Sequence, residues 1–164
     1  MAEISAKDVA ALRKITGAGM MDCKKALEAT GGDIEKAKDW LREKGLAGAA
    51  KRGDRAADQG AVEVLVEGPR DGVSVGAILE LNCETDFVAK GEGFTKAVTE
   101  LAKIVVAKGE NIAGESYNGT TGDEAVKGMA GTLGENIQLG RVARFETTDG
   151  LLDGYKHIQN ERGV

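Results

Sequence analysis

The sequence is poor in the groups that most enzymes depend on. Its 164 residues include one histidine, one tryptophan, two cysteines and one proline, and aromatic residues make up only 4%. The single histidine, His157, has nothing around it at a ligand spacing. A hydrolytic triad or a zinc site would have to be built without partners. Cys23 and Cys83 stand far apart with no CxxC spacing, which points to two buried, reduced thiols rather than a disulfide framework or a redox pair. The dipeptide Gly-Lys does not occur, so the chain has no phosphate-cradling loop of its own. "GAGMMD" opens like a dinucleotide fingerprint, but its third glycine is missing and no strand precedes it. No apolar run approaches the roughly 18 residues that span a membrane. The start, "MAEISAKDVAAL", has neither the basic beginning nor the apolar centre of a secretory signal. Positive charge is also in short supply. A net charge of −5 sets the chain against phosphate-backbone recognition, which Lys and Arg drive by releasing counterions. These absences together describe a cytoplasmic or organelle-interior protein that is not an enzyme. It is expected to hold no cofactor or metal and to make no direct contact with nucleotide, nucleic acid or membrane.

What the chain does have is a globular balance of 41% hydrophobic and 30% charged residues, with 24 glycines scattered without a period. The first fifty residues predict three short helices. Ser5 and Asp8 are spaced as a capping box, and Val9, Leu12 and Ile15 follow at helical spacing. "TGAG" breaks that helix, and a second runs from Met20 to Ala29. Asp33 caps a third, with Ile34, Ala37 and Leu41 on one face and Gly45 as its stop. Helices this short are unstable singly, so their stripes must close into one module over residues 1–46. Residues 47–60, "AGAAKRGDRAADQG" from Ala47, contain no large apolar side chain and read as a linker or solvated helical spacer.

A second unit spans residues 61–164. Val62, Val64 and Val66 alternate along one run, and Val73, Val75, Ala77, Leu79 and Leu81 along the next. "PRDG" between them supplies the turn of a hairpin. Phe94, Val98, Leu101 and Val105 mark a helix that packs across it. A further helix covers about 123–133. "NIQLGRVARFE" then alternates again, with Ile137, Leu139, Ala143 and Phe145 in phase, and "LLDGYKHI" is a last apolar stretch. The expected class is α+β: a three-helix module, a linker, then an antiparallel sheet with helices on one side. Glu80 and Glu84 near the hairpin's end read as solvent-facing acids. The sequon at Asn118 reads as a chance match.

One stretch is harder to place. In "LELNCETDFVAK" a strand stops abruptly and Phe87 follows Asp86 at a helix start, where a ring either staples the turn or faces outward. That stretch, extended to "ILELNCETDFVAKGEGF", resembles the translation elongation factor Ts family. So do "RKITGAGMMDCKKALEATGGDIEKAKDWLREKG" and "LGENIQLGRVARFE", in the family's order and separation. The resemblance implies a ubiquitin-associated-like helical module ahead of a core domain. It also implies guanine-nucleotide exchange on elongation factor Tu. In the family, the segment matching Thr85, Asp86, Phe87 and Val88 enters the GTPase near its magnesium site. Phe87 is then a wedge, and Asp86 caps the helix start and meets polar groups of the partner. Arg13, Met20, Met21 and Lys24 resemble the family's second contact, with one of the two methionines expected in the core. Gly140 ahead of Arg141 departs from the family's paired basic residues and implies a bulge in place of a salt bridge. The end, "GYKHIQNERGV", is similar to a family strand with altered spacing. The alternative of a different class is a binding-only module that docks on the GTPase without efficient exchange. An adaptor using the helical module alone and a redox enzyme using both cysteines have less support.

Overall fold

The structure is a computed structural model that describes residues 4–117, 119–157 and 162–163. The sequon at Asn118 and the altered spacing between His157 and Arg162 lie outside the described residues. The chain falls into two compact units. One comprises the residues up to Asp54 together with Lys127–Glu135, and the other comprises Arg55–Val126 with the residues from Asn136 onward.

In the first unit, α1 (Ala6–Thr16) opens on the capping box read from the sequence: Ser5 Oγ accepts from the Asp8 backbone N–H, and the Asp8 carboxylate accepts from the Ser5 N–H. It closes on Gly17, whose left-handed φ of 69° lets its N–H reach the Arg13 carbonyl. Next come α2 (Met20–Ala29) and α3 (Ile34–Ala50), the latter capped by Asp33, whose side chain accepts from the Lys36 N–H. Val9, Leu12, Ala18, Cys23, Ala26, Leu27 and Ala37 form the buried centre, with Ile34, Trp40 and Leu41 packed around it. Two expectations fail here. Helix α3 does not stop at Gly45 but continues to Ala50, because the alanines beyond are strong helix formers. Ile15 has helical spacing with Leu12 yet stays 58% exposed on the last turn of α1.

The second unit is built on a three-stranded antiparallel sheet, order β1-β2-β5, of β1 (Gln59–Arg70), β2 (Val73–Cys83) and β5 (Gln138–Thr147). The hairpin turn is shorter than "PRDG". Asp71 (φ 51°) and Gly72 (φ 80°) alone form a two-residue turn of the primed kind, and Pro69 sits in β1 where the register slips between Glu67 and Arg70. The short helix α4 (Asp86–Ala89) and the long α5 (Glu92–Lys108) follow the hairpin. The two-residue strands β3 (Ser116–Tyr117) and β4 (Thr120–Thr121) pair with each other, and α6 (Gly122–Leu133) leads to β5. At the end, β6 (Lys156–His157) pairs with β7 (Arg162–Gly163).

Helix α5 buries Phe94, Ala97, Val98, Leu101, Ala102, Val105 and Val106. Beneath it β2 offers Ala77, Leu79, Leu81 and Cys83, all buried. Register decides what β1 adds. Ala61 pairs with Leu81, Glu63 with Leu79 and Leu65 with Ala77, so those three share the helix-facing side. Glu63 satisfies its carboxylate there by accepting from the Thr99 hydroxyl of α5. Val62, Val64 and Val66 therefore lie on the opposite face, where Leu152 packs at Gly76 and Gly154 at Val64.

Strand β5 also departs from simple alternation. Leu79 pairs with Val142 and Leu81 with Leu139, so Gly140 and Arg141 together oppose Glu80 in a bulge. The extra residue flips the faces: Leu139 lies with the helix side, and Ala143 and Phe145 with the other. The bulge does not replace a salt bridge. It supplies one, because Arg141 Nε sits 2.9 Å from the Glu80 carboxylate.

Candidate functional site

Strand β2 ends at Cys83, a fully buried residue that points its thiol back at the chain leaving the strand. Cys83 Sγ donates to the Thr85 carbonyl at 3.2 Å. Thr85 is extended (φ −125°, ψ 152°) and is the N-cap of α4, its hydroxyl accepting from the Val88 N–H. The backbone then closes one helical turn: Ala89 N–H donates to the Thr85 carbonyl and Lys90 N–H to that of Asp86. Gly91 N–H donates to the Val88 carbonyl. Gly91 is in turn the N-cap of α5. The turn is thus pinned between the end of the strand and the start of the long helix.

Within it the side chains diverge. Ala89 is buried and Val88 half-buried, so these anchor the turn to the unit. Phe87 projects away and is 86% exposed. A phenyl ring left in water forgoes the ~1.5–3 kcal/mol that burial would give. The hydrophobic-staple reading of Phe87 is excluded by that exposure. Asp86 is not the helix cap, a role Thr85 fills. It pairs with Lys90 one turn on at 2.8 Å. Hydrogen bonding and attraction from Lys90 lower its pKa below the usual carboxylate value, so it carries full charge at neutral pH. Thr85, Asp86, Phe87 and Val88 are thus brought together on one short turn, with the ring as its outermost apolar group.

Sequence reasoning missed the groups behind the turn. Glu84 is not a free surface acid: its side chain is 22% exposed, and one carboxylate oxygen accepts from the Asn136 backbone N–H at 2.7 Å. Arg55 Nη1 lies 3.5 Å from the same oxygen. Asn136, 3% exposed, donates through its side-chain amide to the Arg55 carbonyl at 2.6 Å. Asn136 sits between α6 and β5 with no periodicity to reveal it, and only its pairing across the fold gives it meaning.

In the helical module, Met20 and Met21 are 55% and 63% exposed. Neither is core, contrary to expectation, because Ala18 and Cys23 already fill the space under the start of α2. Met20, Met21 and Lys24 lie within one turn of α2, and Lys24 pairs loosely with Glu28 at 3.8 Å. Arg13 is exposed in the last turn of α1, and the exposed Ile15 lies two residues further along. Among the described residues no group of His, Cys, Asp and Glu is placed to hold a metal. No described helix is long and apolar enough to cross a membrane.

The site is thus a braced, one-turn platform that leaves an aromatic ring and a charged carboxylate at the surface. Comparison with known proteins gives the family. The family model described as elongation factor Ts matches residues 84–164, and that described as elongation factor Ts, mitochondrial, N-terminal matches residues 2–51. Elongation factor Ts of Pelodictyon phaeoclathratiforme is 50% identical over 172 aligned positions, covering 100% of this chain and 59% of that relative. That of Chlorobaculum parvum is 48% identical with the same coverage. That of Symbiobacterium thermophilum is 49% identical over 165 positions, covering 100% of this chain and 53% of the relative. The chain belongs to the elongation factor Ts family, and it spans somewhat over half the length of these curated relatives.

Proposed function

We propose that this chain is a translation elongation factor that binds elongation factor Tu in its GDP state and promotes GDP release. The observation that carries the reading is the exposure of Phe87 on a turn braced from both sides, within a chain of this family. The mechanism follows from what a fixed ring can do. Mg²⁺ demands near-ideal octahedral geometry, so a small displacement of its ligands is costly and loosens the phosphates it bridges. Phe87 imposes that displacement by entering beside the magnesium site. Asp86 exchanges Lys90 for polar groups of the partner, and Thr85 and Val88 hold the turn during entry. Met20, Met21, Lys24 and Arg13 supply a second contact from the helical module.

No catalytic group is needed. The chain has only to bind the nucleotide-free GTPase more tightly than the GDP form, and each tenfold weakening of GDP requires about 1.4 kcal/mol of that difference. Three decades, ~4 kcal/mol, are within reach of one buried aromatic anchor and a modest interface.

The test is release of a fluorescent GDP analogue from elongation factor Tu, followed by stopped flow. The full chain speeds the decay, excess Mg²⁺ slows the effect, and Phe87→Ala removes most of it while the circular dichroism spectrum stays unchanged. A decay unaffected at saturating chain, with binding intact, would identify a binding-only module. Insensitivity to magnesium would overturn the metal-displacement step.

A further inference from the structure

We propose that Glu84, Asn136 and Arg55 form a clasp that sets the direction in which Phe87 is presented, making Glu84 and Asn136 positioning residues for the docking turn. The inference rests on the reading of Phe87 given above.

A helix of four residues, Asp86–Ala89, cannot hold its own orientation, since nucleating one turn is unfavourable without outside support. Its direction is inherited from what fixes its ends. Downstream, that is buried Ala89 and the start of α5. Upstream, the chain entering the turn is gripped on two sides. Cys83 holds it from within through the thiol-to-Thr85 bond at 3.2 Å. Glu84, the residue before the cap, holds it from outside by bonding the Asn136 N–H at 2.7 Å.

Three distant stretches of chain meet there: Arg55 ahead of β1, Glu84 at the end of β2, and Asn136 ahead of β5. Asn136 closes the ring by donating to the Arg55 carbonyl at 2.6 Å, and it is the buried polar residue of the described core. Burying an amide costs more than burying an apolar side chain of the same size unless its bonds are directional and satisfied. Here those bonds are made: the Asn136 N–H donates to Glu84 and its side-chain amide to the Arg55 carbonyl. One residue thus ties three stretches together and fixes the chain just ahead of Thr85, from which the Phe87 ring is carried.

The test separates aim from stability. The full chain is labelled with 4-fluorophenylalanine, so that Phe87, Phe94 and Phe145 each give a ¹⁹F resonance. Glu84→Ala is expected to shift and broaden the Phe87 signal of the free protein while Phe94, on the buried face of α5, keeps its position. GDP release from elongation factor Tu at saturating chain falls roughly tenfold, the scale of losing a charged hydrogen bond. Glu84→Gln, which retains an acceptor oxygen, recovers most of both. Should Glu84→Ala lose the Phe94 signal and fail to fold, Asn136→Ala reads the same Phe87 shift while leaving the backbone donor in place.

A Phe87 signal and a release rate identical to the native chain, with only the melting temperature lowered, would overturn the proposal and leave the clasp a structural tie. Failure of the docking reading is a different result: elongation factor Tu would release GDP as fast with Phe87→Ala as with the native chain, whatever the ¹⁹F spectra show.

Discussion

Phe87 and Phe94 are the same residue under opposite constraints. Phe94 is 1% exposed on the inner face of α5, and Phe87 is 86% exposed on the turn before that helix. Phe94→Ala should destabilise the chain by about 3–5 kcal/mol, the cost of a large core cavity. Phe87→Ala should change stability by less than about 0.5 kcal/mol, as surface substitutions usually do. Urea titrations of both variants check this, and a large loss for Phe87→Ala would mean the ring packs on its own chain. The Glu80–Arg141 pair makes a different prediction, in pH. The Arg141 side chain, by hydrogen bond and charge, holds Glu80 below its ordinary pKa of 4.5. A carboxyl depressed in the folded state contributes stability above the unfolded pKa and loses it as pH falls through the lower folded value. Arg141→Ala should therefore raise the Glu80 pKa in a carbon-detected NMR titration. Its small stability deficit should be present at neutral pH and vanish in acid. An unmoved Glu80 titration would show that the ion pair is not formed in solution.

Among the elements, α3 and α6 meet through two glycines. A Cβ on Gly131 would stand 2.5 Å from the Cα of Gly45, whereas one on Gly128 would meet nothing within 4 Å. Alanine is favoured over glycine in a helix by about 1 kcal/mol, so the two substitutions should have opposite signs. Gly128→Ala raises the melting temperature, and Gly131→Ala lowers it, with overpacking costing about 1–3 kcal/mol. Equal stabilisation by both would mean that the helices do not cross there. This crossing also shows where sequence reasoning stops. The elements themselves were legible: the capping box at Ser5, the span of α2, the burial of Phe94, Val98, Leu101 and Val105, and the hairpin all follow from local spacing. Gly45 reads as a helix stop only because its partner Gly131 is far along the chain, and a close crossing leaves no local trace. The faces of β5 differ from simple alternation for a related reason. Period-two alternation assumes an unbroken ladder, and the bulge at Gly140–Arg141 adds a residue that swaps sides. At the site, the turn and its ring were legible through a family resemblance, and the exposure of Met20 and Met21 depends on what else fills the module. The grip of Asn136 on Glu84 is a contact across the fold, invisible to any periodicity.

At the scale of the whole molecule, exchange is a statement about coupling, and coupling has to be reciprocal. If this chain lowers the affinity of elongation factor Tu for GDP by some factor, GDP must lower the affinity for this chain by the same factor. The ring and the nucleotide never need to touch. It is enough that both bias one element of the GTPase, the magnesium coordination, in opposite directions. Calorimetric titration of the chain into nucleotide-free and GDP-loaded elongation factor Tu gives one ratio, and GDP affinity with and without saturating chain gives the other. The two ratios should agree for the native chain, and for Phe87→Ala both should fall together toward one. The helical module behaves differently in this scheme. If Met20 and Met21 supply the second contact proposed above, and supply it equally to both states of the GTPase, Met20→Ala and Met21→Ala should weaken binding in both titrations and leave the ratio unchanged. A methionine variant that altered the ratio would move part of the coupling from the Phe87 turn to the first unit. A Phe87 variant that altered only the affinity would make the ring an anchor rather than a wedge.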